Sequence, residues 1–214
     1  FDTPADLSDI DKYAGCIPIV TFNGTDETVR LADDDFLTRG DGSNDSAMSI
    51  VMWIRIIDSA ATRHLFSKYD NSESIQEYYF YITSGDDLGF GVADDSSGIE
   101  IQNISDATIA TARWVQVAVT YDGTGGNNAL DGAACVLYVD GVAVADTPSN
   151  GAYTAMEPGT SVLSIAASTT GATETDAFAG DVAGGPLGPI FTTKEINAQE
   201  VYRLYLLGRA AMGL

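Results

Sequence analysis

The chain is poor in cations, in histidine and in cysteine, and each scarcity narrows what it can do. Lys and Arg number 10 in 214 residues against 31 Asp and Glu, a net charge of -21. Such a surface repels phosphate backbones and anionic lipids, so neither nucleic acid nor a membrane surface is expected as a partner. It attracts cations instead. The lone His64 rules out a His-rich catalytic metal site. In its apolar context, RHLFS, it reads as a packed strand residue and not as the base of a Ser/His/Asp set. No apolar run approaches the roughly 20 residues that span a bilayer, so no membrane insertion is expected. The chain starts at Phe1 with no basic and apolar leader, which reads as a processed or trimmed chain whose export signal is out of view. Cys16 and Cys135 both lie beside apolar strand-like residues, and two buried thiols fit as well as one disulfide.

What is present is apolar content and turn chemistry. At 214 residues and 45% hydrophobic, the chain is long enough for one well-buried core. The expected organisation is an N-terminal extension, 1–16, packed on a single domain, 17–214. Short β-rich runs are punctuated by Gly, Asp, Asn and Ser throughout, which argues for an all-β sandwich or barrel. In SIVMWIRI, Ile50, Met52, Ile54 and Ile56 share one face while Val51, Trp53 and Arg55 share the other. Both faces are largely apolar, so this strand is expected in the middle of a sheet. In VLYVDGVAVAD, Asp140-Gly141 suits the two positive-φ positions of a type I′ hairpin turn. Asn197-Ala-Gln-Glu200 is a capping box, and Val201, Leu204 and Tyr205 follow at helical spacing. A short C-terminal helix is therefore predicted, stopping near Gly208 and packing on an edge or rim of the sandwich.

The order of these motifs resembles a known family. The runs VTFNGTDETVRL, SIVMWIRI, HLFSKYD, YYFYITSGDDLGFGVADDSSG, RWVQVAVTYDG, CVLYVDGVAVA, SIAAS, FAGDV and KEINAQEVYRLY look like the laminin-G-like jelly roll of the concanavalin A-like lectin and glucanase superfamily. The strongest pieces are Trp53, Trp114 to Gly123 and the Tyr138 to Gly141 hairpin. The resemblance implies a two-sheet antiparallel jelly-roll sandwich carrying the short C-terminal helix. One departure is GGPLGPIFTTKE, where Pro186 and Pro189 interrupt sheet hydrogen bonding and imply a remodelled or blunted edge.

The resemblance also frames the functional candidates. Glucanases on this scaffold carry two carboxylates on one strand face, about 5 Å apart in retaining enzymes. No Glu-X-Asp-X-X-Glu strand occurs here, so a non-catalytic module is expected. Laminin-G-like domains often hold calcium in an oxygen-rich loop, and by that resemblance Asp26, Asp33, Asp34, Asp35, Asp176 and Asp181 are candidate ligands of a structural calcium. Four consecutive aromatics, Tyr78 to Tyr81, alternate in a strand, so Tyr79 and Tyr81 point away from Tyr78 and Phe80. Two readings stand. The outward pair either packs under covering segments, the more ordinary role for strand aromatics, or joins Tyr69, Tyr121 and Tyr153 as a platform on which a sugar stacks. Arg39-Gly40-Asp41 matches an adhesion tripeptide, and Asn23, Asn44 and Asn103 lie in Asn-X-Ser/Thr sequons, but matches this short carry little weight. The expected function is an extracellular, cell-surface or virion-surface binding or adhesion module that recognises a glycan or protein surface. The alternative is a structural subunit, such as a capsid decoration or fibre protein, whose partner is a capsid or filament lattice.

Overall fold

The structure, a computed structural model, describes residues 17–58, 61–72 and 75–214; the predicted extension 1–16 and Cys16 lie outside the described residues. In chain order the strands are β1 (Ile19–Asn23), β2 (Val29–Leu31), β3 (Met48–Ile56), β4 (Arg63–Asp70), β5 (Ile75–Ile82), β6 (Asp87–Asp94), β7 (Ile99–Thr108) and β8 (Trp114–Tyr121). They continue with β9 (Cys135–Val139), β10 (Val142–Ala143), β11 (Asp146–Pro148), β12 (Leu163–Ile165), β13 (Ser168–Thr170), β14 (Thr173–Thr175), β15 (Ala179–Ala183) and β16 (Ile190–Thr192), followed by the helix α1 (Ala198–Met212). One sheet runs β1-β15-β3-β8-β9-β10, with β16 also on β3. The other runs β11-β7-β6-β5-β4-β12-β2, and the β13–β14 hairpin joins it along β4. The sheets form the predicted jelly-roll sandwich, in which nearly every pairing is antiparallel.

The core is the sum of the inward halves of alternating strands. Ile50, Met52, Ile54 and Ile56 of β3 meet Tyr78, Phe80 and Ile82 of β5 and Leu88, Phe90 and Val92 of β6. The second face of β3 is apolar because α1 lies across it. Val201 and Leu204 pack on Val51, Ala118 and Tyr138, and the Tyr205 ring stacks on Trp53 at 5.8 Å between centroids. The helix thus covers a sheet face and does not sit at an edge or rim. Its capping box forms as expected, with the Asn197 side chain accepting from the backbone of Gln199 and Glu200 and Glu200 reaching back. Gly208 is not the stop. It lies within the helix, where a Cβ would come 2.2 Å from Trp53 Nε1, so its bareness admits the indole. The left-handed cap is Gly213, at φ 70°.

Other expectations resolve locally. Asp140 and Gly141 have φ of 51° and 77°, as a type I′ turn demands. In the proline segment the chain leaves the sheet after β15, makes a 3-10 turn over Gly185–Leu187, and returns as β16 along the same central strand, β3. Asn103 is fully buried on β7, which bars its sequon from glycosylation in the folded chain. In Arg39-Gly40-Asp41 the glycine is held against the body, bridging to Asp45 with the Met156 carbonyl 2.0 Å from where a Cβ would stand, while Asp41 is exposed. Cys135 carries a buried thiol whose pKa burial pushes up.

One feature had no sequence signal. Lys68 and Glu77, neighbours across β4 and β5, are both wholly buried and paired at 2.5 Å. The Lys68 ammonium also donates to the Gly159 carbonyl at 2.6 Å and meets Asp33 at 2.9 Å, and Glu77 accepts from the backbone of Arg39 and Gly159. Burial pushes the Glu77 carboxyl up while Lys68 pulls it down. The cluster ties two loops to the interior strands β4 and β5.

Candidate functional site

The outer face of the β4-β5-β6-β7 sheet carries a cleft of about 260 Å³ whose lining includes His64, Tyr69, Tyr79, Tyr81, Glu100 and Asp176. Strand alternation delivers part of this set: with Tyr78 and Phe80 in the core, Tyr79 and Tyr81 face out. His64 and Tyr69 are five residues apart, so strict alternation would put them on opposite faces. A register shift between His64 and Phe66 turns the pattern over and brings both outward.

Two glycines shape the floor. Gly89 and Gly91 of β6 pair with Tyr81 and Tyr79, and a Cβ at either would lie 2.4 or 2.3 Å from the facing ring. The rings therefore lie flat across β6, and their hydroxyls reach β7. Tyr79 donates to Glu100 Oε2 at 3.1 Å, Tyr69 to Glu100 Oε1 at 2.6 Å and Tyr81 to Gln102 Oε1 at 2.6 Å. His64 stacks on Tyr79 at 5.1 Å and 6°, and Tyr69 meets the same ring edge-on at 5.0 Å. Tyr79 and Tyr81 are each only 4% exposed, whereas Tyr69 is half-buried and Glu100 and Asp176 are exposed at the rim. The outward pair is thus packed, as in the more ordinary of the two readings, and it backs a cleft beside the half-buried Tyr69.

The opposite wall is the β13–β14 hairpin. Its turn is held by the Asp70 carboxylate, which accepts from the Gly171 and Ser72 backbone, and these hydrogen bonds hold Asp70 below the usual carboxylate range against the opposing effect of burial. The hairpin ends at Asp176, whose φ of 49° is left-handed and whose Oδ2 accepts from Ser168. Burial lowers the His64 pKa to about 4 even with Asp176 beside it, so the imidazole is uncharged at neutral pH. Burial, reinforced by Glu100, raises the pKa of Tyr69 and Tyr79, which keeps both as hydroxyl donors.

Of the residues singled out from sequence, the structure brings Tyr69, Tyr79, Tyr81 and Asp176 together here. Tyr153 is elsewhere: it is buried in the core, and its hydroxyl donates to Asp45 at 2.7 Å. The other carboxylates proposed for calcium do not converge. Asp26 accepts from the Asn23 side chain, Asp33 meets Lys68, Asp34 accepts from the Phe36 backbone and Asp35 is exposed. Asp181 is 2% exposed and held by Arg55 at 2.5 Å and by Thr21 at 2.6 Å. Among the described residues no group of three or more His, Cys, Asp or Glu is placed to hold a metal, so these six do not fit a calcium shell. Sequence reading missed Glu100 and Gln102 as site residues, although they alternate with Ile99 and Ile101 in a strand-like run, and it missed the hairpin wall, which lies in a polar segment.

Fold and site together define a jelly-roll sandwich with an acid-rimmed, aromatic-backed cleft on one outer face. The chain belongs to the concanavalin A-like lectin/glucanases superfamily, whose laminin-G family model matches residues 23–184. A search of curated proteins finds no match. Among solved structures it is similar to the CBM40 of the Ruminococcus gnavus IT-sialidase bound to α2,3-sialyllactose, with 12% identity, a TM-score of 0.58, and 85% of this chain and 100% of that one covered. It is also similar to a SAP-like pentraxin from Limulus polyphemus, with 14% identity, a TM-score of 0.53 and coverage of 87% and 81%. A third is the binding domain of botulinum neurotoxin serotype G, with 11% identity, a TM-score of 0.58 and coverage of 89% and 45%. At these identities the likeness establishes the fold alone. Among the described residues no helix is long and apolar enough to cross a membrane.

Proposed function

We propose that the chain is a non-catalytic carbohydrate-binding module working outside the cell, with the cleft on the β4-β5-β6-β7 face as its sugar site. The carrying observation is the joint placement of Tyr69, Tyr79, Tyr81 and His64 against Glu100, Gln102 and Asp176 around a volume of about 260 Å³. Ligand pockets run to roughly 300–1,000 Å³, so this one suits a single sugar ring with its chain continuing into solvent. An aromatic ring supplies an apolar face for the C–H side of a pyranose, and carboxylate and amide groups accept from its hydroxyls. The same fold holding sialyllactose in the Ruminococcus gnavus module supports a sugar-binding role.

The test is a glycan-array screen of the purified chain, repeated with calcium and with chelator, followed by titration of any hit against Tyr69→Ala. The reading expects binding to a defined glycan, indifferent to calcium, weakened about tenfold or more by the variant. Binding that Tyr69→Ala leaves intact, in a variant that still folds, places the sugar elsewhere and overturns the site. A second reading, a subunit of a virion or other extracellular assembly, draws on the exposed apolar face of α1, where Tyr202, Leu206 and Leu207 are 47%, 45% and 64% exposed. Silence on the array together with regular binding to a capsid or filament lattice favours it.

A further inference from the structure

The charge and hydrogen-bond polarity of the cleft point to a class of sugar. Among the described residues no Lys or Arg lines it, while Glu100 and Asp176 both stand exposed at its rim. The cations on β4 are engaged elsewhere, Arg63 with Asp86 at 2.6 Å and Lys68 with Glu77. His64, neutral at neutral pH, adds no positive charge. The lining therefore carries two negative charges inside the field of a chain of net charge -21.

Hydrogen bonding by the aromatic and acidic residues is skewed the same way. The hydroxyls of Tyr69, Tyr79 and Tyr81 already donate to Glu100 and Gln102, so those donors are not free for a ligand. Acceptors remain. Each Glu100 oxygen accepts one of these bonds and keeps a lone pair, and Asp176 keeps a whole oxygen beyond the one that accepts from Ser168. His64, 6% exposed in the cleft wall, holds an Nδ1 with no hydrogen-bond partner. That atom is itself buried in the wall, so Glu100 and Asp176 are the acceptors that a ligand can reach.

Such a lining repels a carboxylate and rewards a group that is both a donor and positive. We propose that the cleft selects sugars carrying a free amine over the same sugars with a hydroxyl or N-acetyl group in its place, and disfavours sugars carrying a carboxylate. The inference rests on the carbohydrate-binding reading above and departs from the sialyllactose seen in the structurally similar Ruminococcus gnavus module.

The test uses matched probes on the intact chain: the β1,4-linked tetramers of glucose, N-acetylglucosamine and glucosamine, and lactose against α2,3-sialyllactose, each by calorimetric titration. The glucosamine tetramer is expected to bind about tenfold tighter than the glucose tetramer, and sialyllactose about tenfold weaker than lactose. Glu100→Gln combined with Asp176→Asn removes two rim charges, keeps at position 100 one acceptor oxygen for one of the two tyrosines that Glu100 serves, and is expected to bring the three tetramers within about twofold of each other. Glu195→Gln, an exposed site just ahead of α1, changes the net charge without touching the cleft and is expected to leave the amine preference intact. Equal binding of the three tetramers, or sialyllactose bound as well as lactose, overturns the inference while leaving the sugar site standing. So does an amine preference that survives the double variant, since it then comes from net charge alone. Silence to every probe and across the array overturns the carbohydrate reading and this inference with it.

Discussion

His64 is the one histidine of the chain, which makes its burial measurable without ambiguity. Burial lowers its pKa from 6.5 to about 4, with the charge of Asp176 opposing but not cancelling the shift. Between those two values the unfolded chain takes up a proton that the folded chain refuses. The contribution to stability is therefore complete above pH 6.5, is lost as pH falls toward about 4, and does not change further below that. At about 1.4 kcal/mol per pKa unit the full loss is on the order of 3 kcal/mol. Asp45 and Glu77, whose carboxyls burial raises, act with the opposite sign, so the raw pH profile of the protein mixes the two effects. Comparison with His64→Phe isolates the histidine: the ring stack on Tyr79 is kept, the ionisable group is gone, and no hydrogen bond of Nδ1 is lost. Urea denaturation of both proteins from about pH 4 to about pH 7 should give curves that diverge on acidification, the wild type losing about 3 kcal/mol relative to the variant. Parallel curves, or an imidazole that titrates near 6.5 by NMR in the folded protein, refute the reasoning.

Three further outcomes follow from particular contacts. Lys68→Met leaves the wholly buried Glu77 without its ammonium and should cost about 3–5 kcal/mol, whereas Lys68→Met with Glu77→Leu should recover most of it; urea denaturation of the pair decides. Gly208→Ala normally gains helix propensity of about 1 kcal/mol, but here the new Cβ falls 2.2 Å from Trp53 Nε1, so a net loss of about 1–3 kcal/mol is expected, read as a lowered Tm. Gly91→Ala pushes on the Tyr79 ring at 2.3 Å and should both destabilise by about 1–3 kcal/mol and weaken glycan binding, which titration on the array hit measures.

What could be read in advance followed from periodicity and backbone chemistry. The two faces of SIVMWIRI, the Asp140-Gly141 turn and the Asn197 capping box are short-range patterns, and each appears where expected. The outward pairing of Tyr79 and Tyr81 was legible for the same reason. Partnership across long sequence separations was not. Nothing local says that Glu100 lies under the hydroxyls of Tyr69 and Tyr79, or that STTGATETD folds back as the wall of a cleft. The bulge beside His64 inverts an alternation that the sequence otherwise implies. Gly208 looked like a helix stop because the reason for its bareness, the Trp53 indole, comes from a strand some 150 residues earlier. Acidic residues gave little guidance because composition alone supplies many of them: Asp181, a candidate ligand by resemblance, is paired with Arg55.

The most direct test of the central claim, that the cleft over Tyr79 and Tyr81 is where sugar binds, uses the single imidazole as a built-in reporter. His64 ring resonances are followed by NMR while an array-selected glycan is titrated in, alongside backbone amides of β4, β7 and the β13–β14 hairpin. Saturable shifts of the His64 ring are expected together with the amides around Tyr69, Glu100 and Asp176, and none on α1. Saturable shifts confined to α1 or to the opposite sheet, with the His64 ring unmoved, would contradict it.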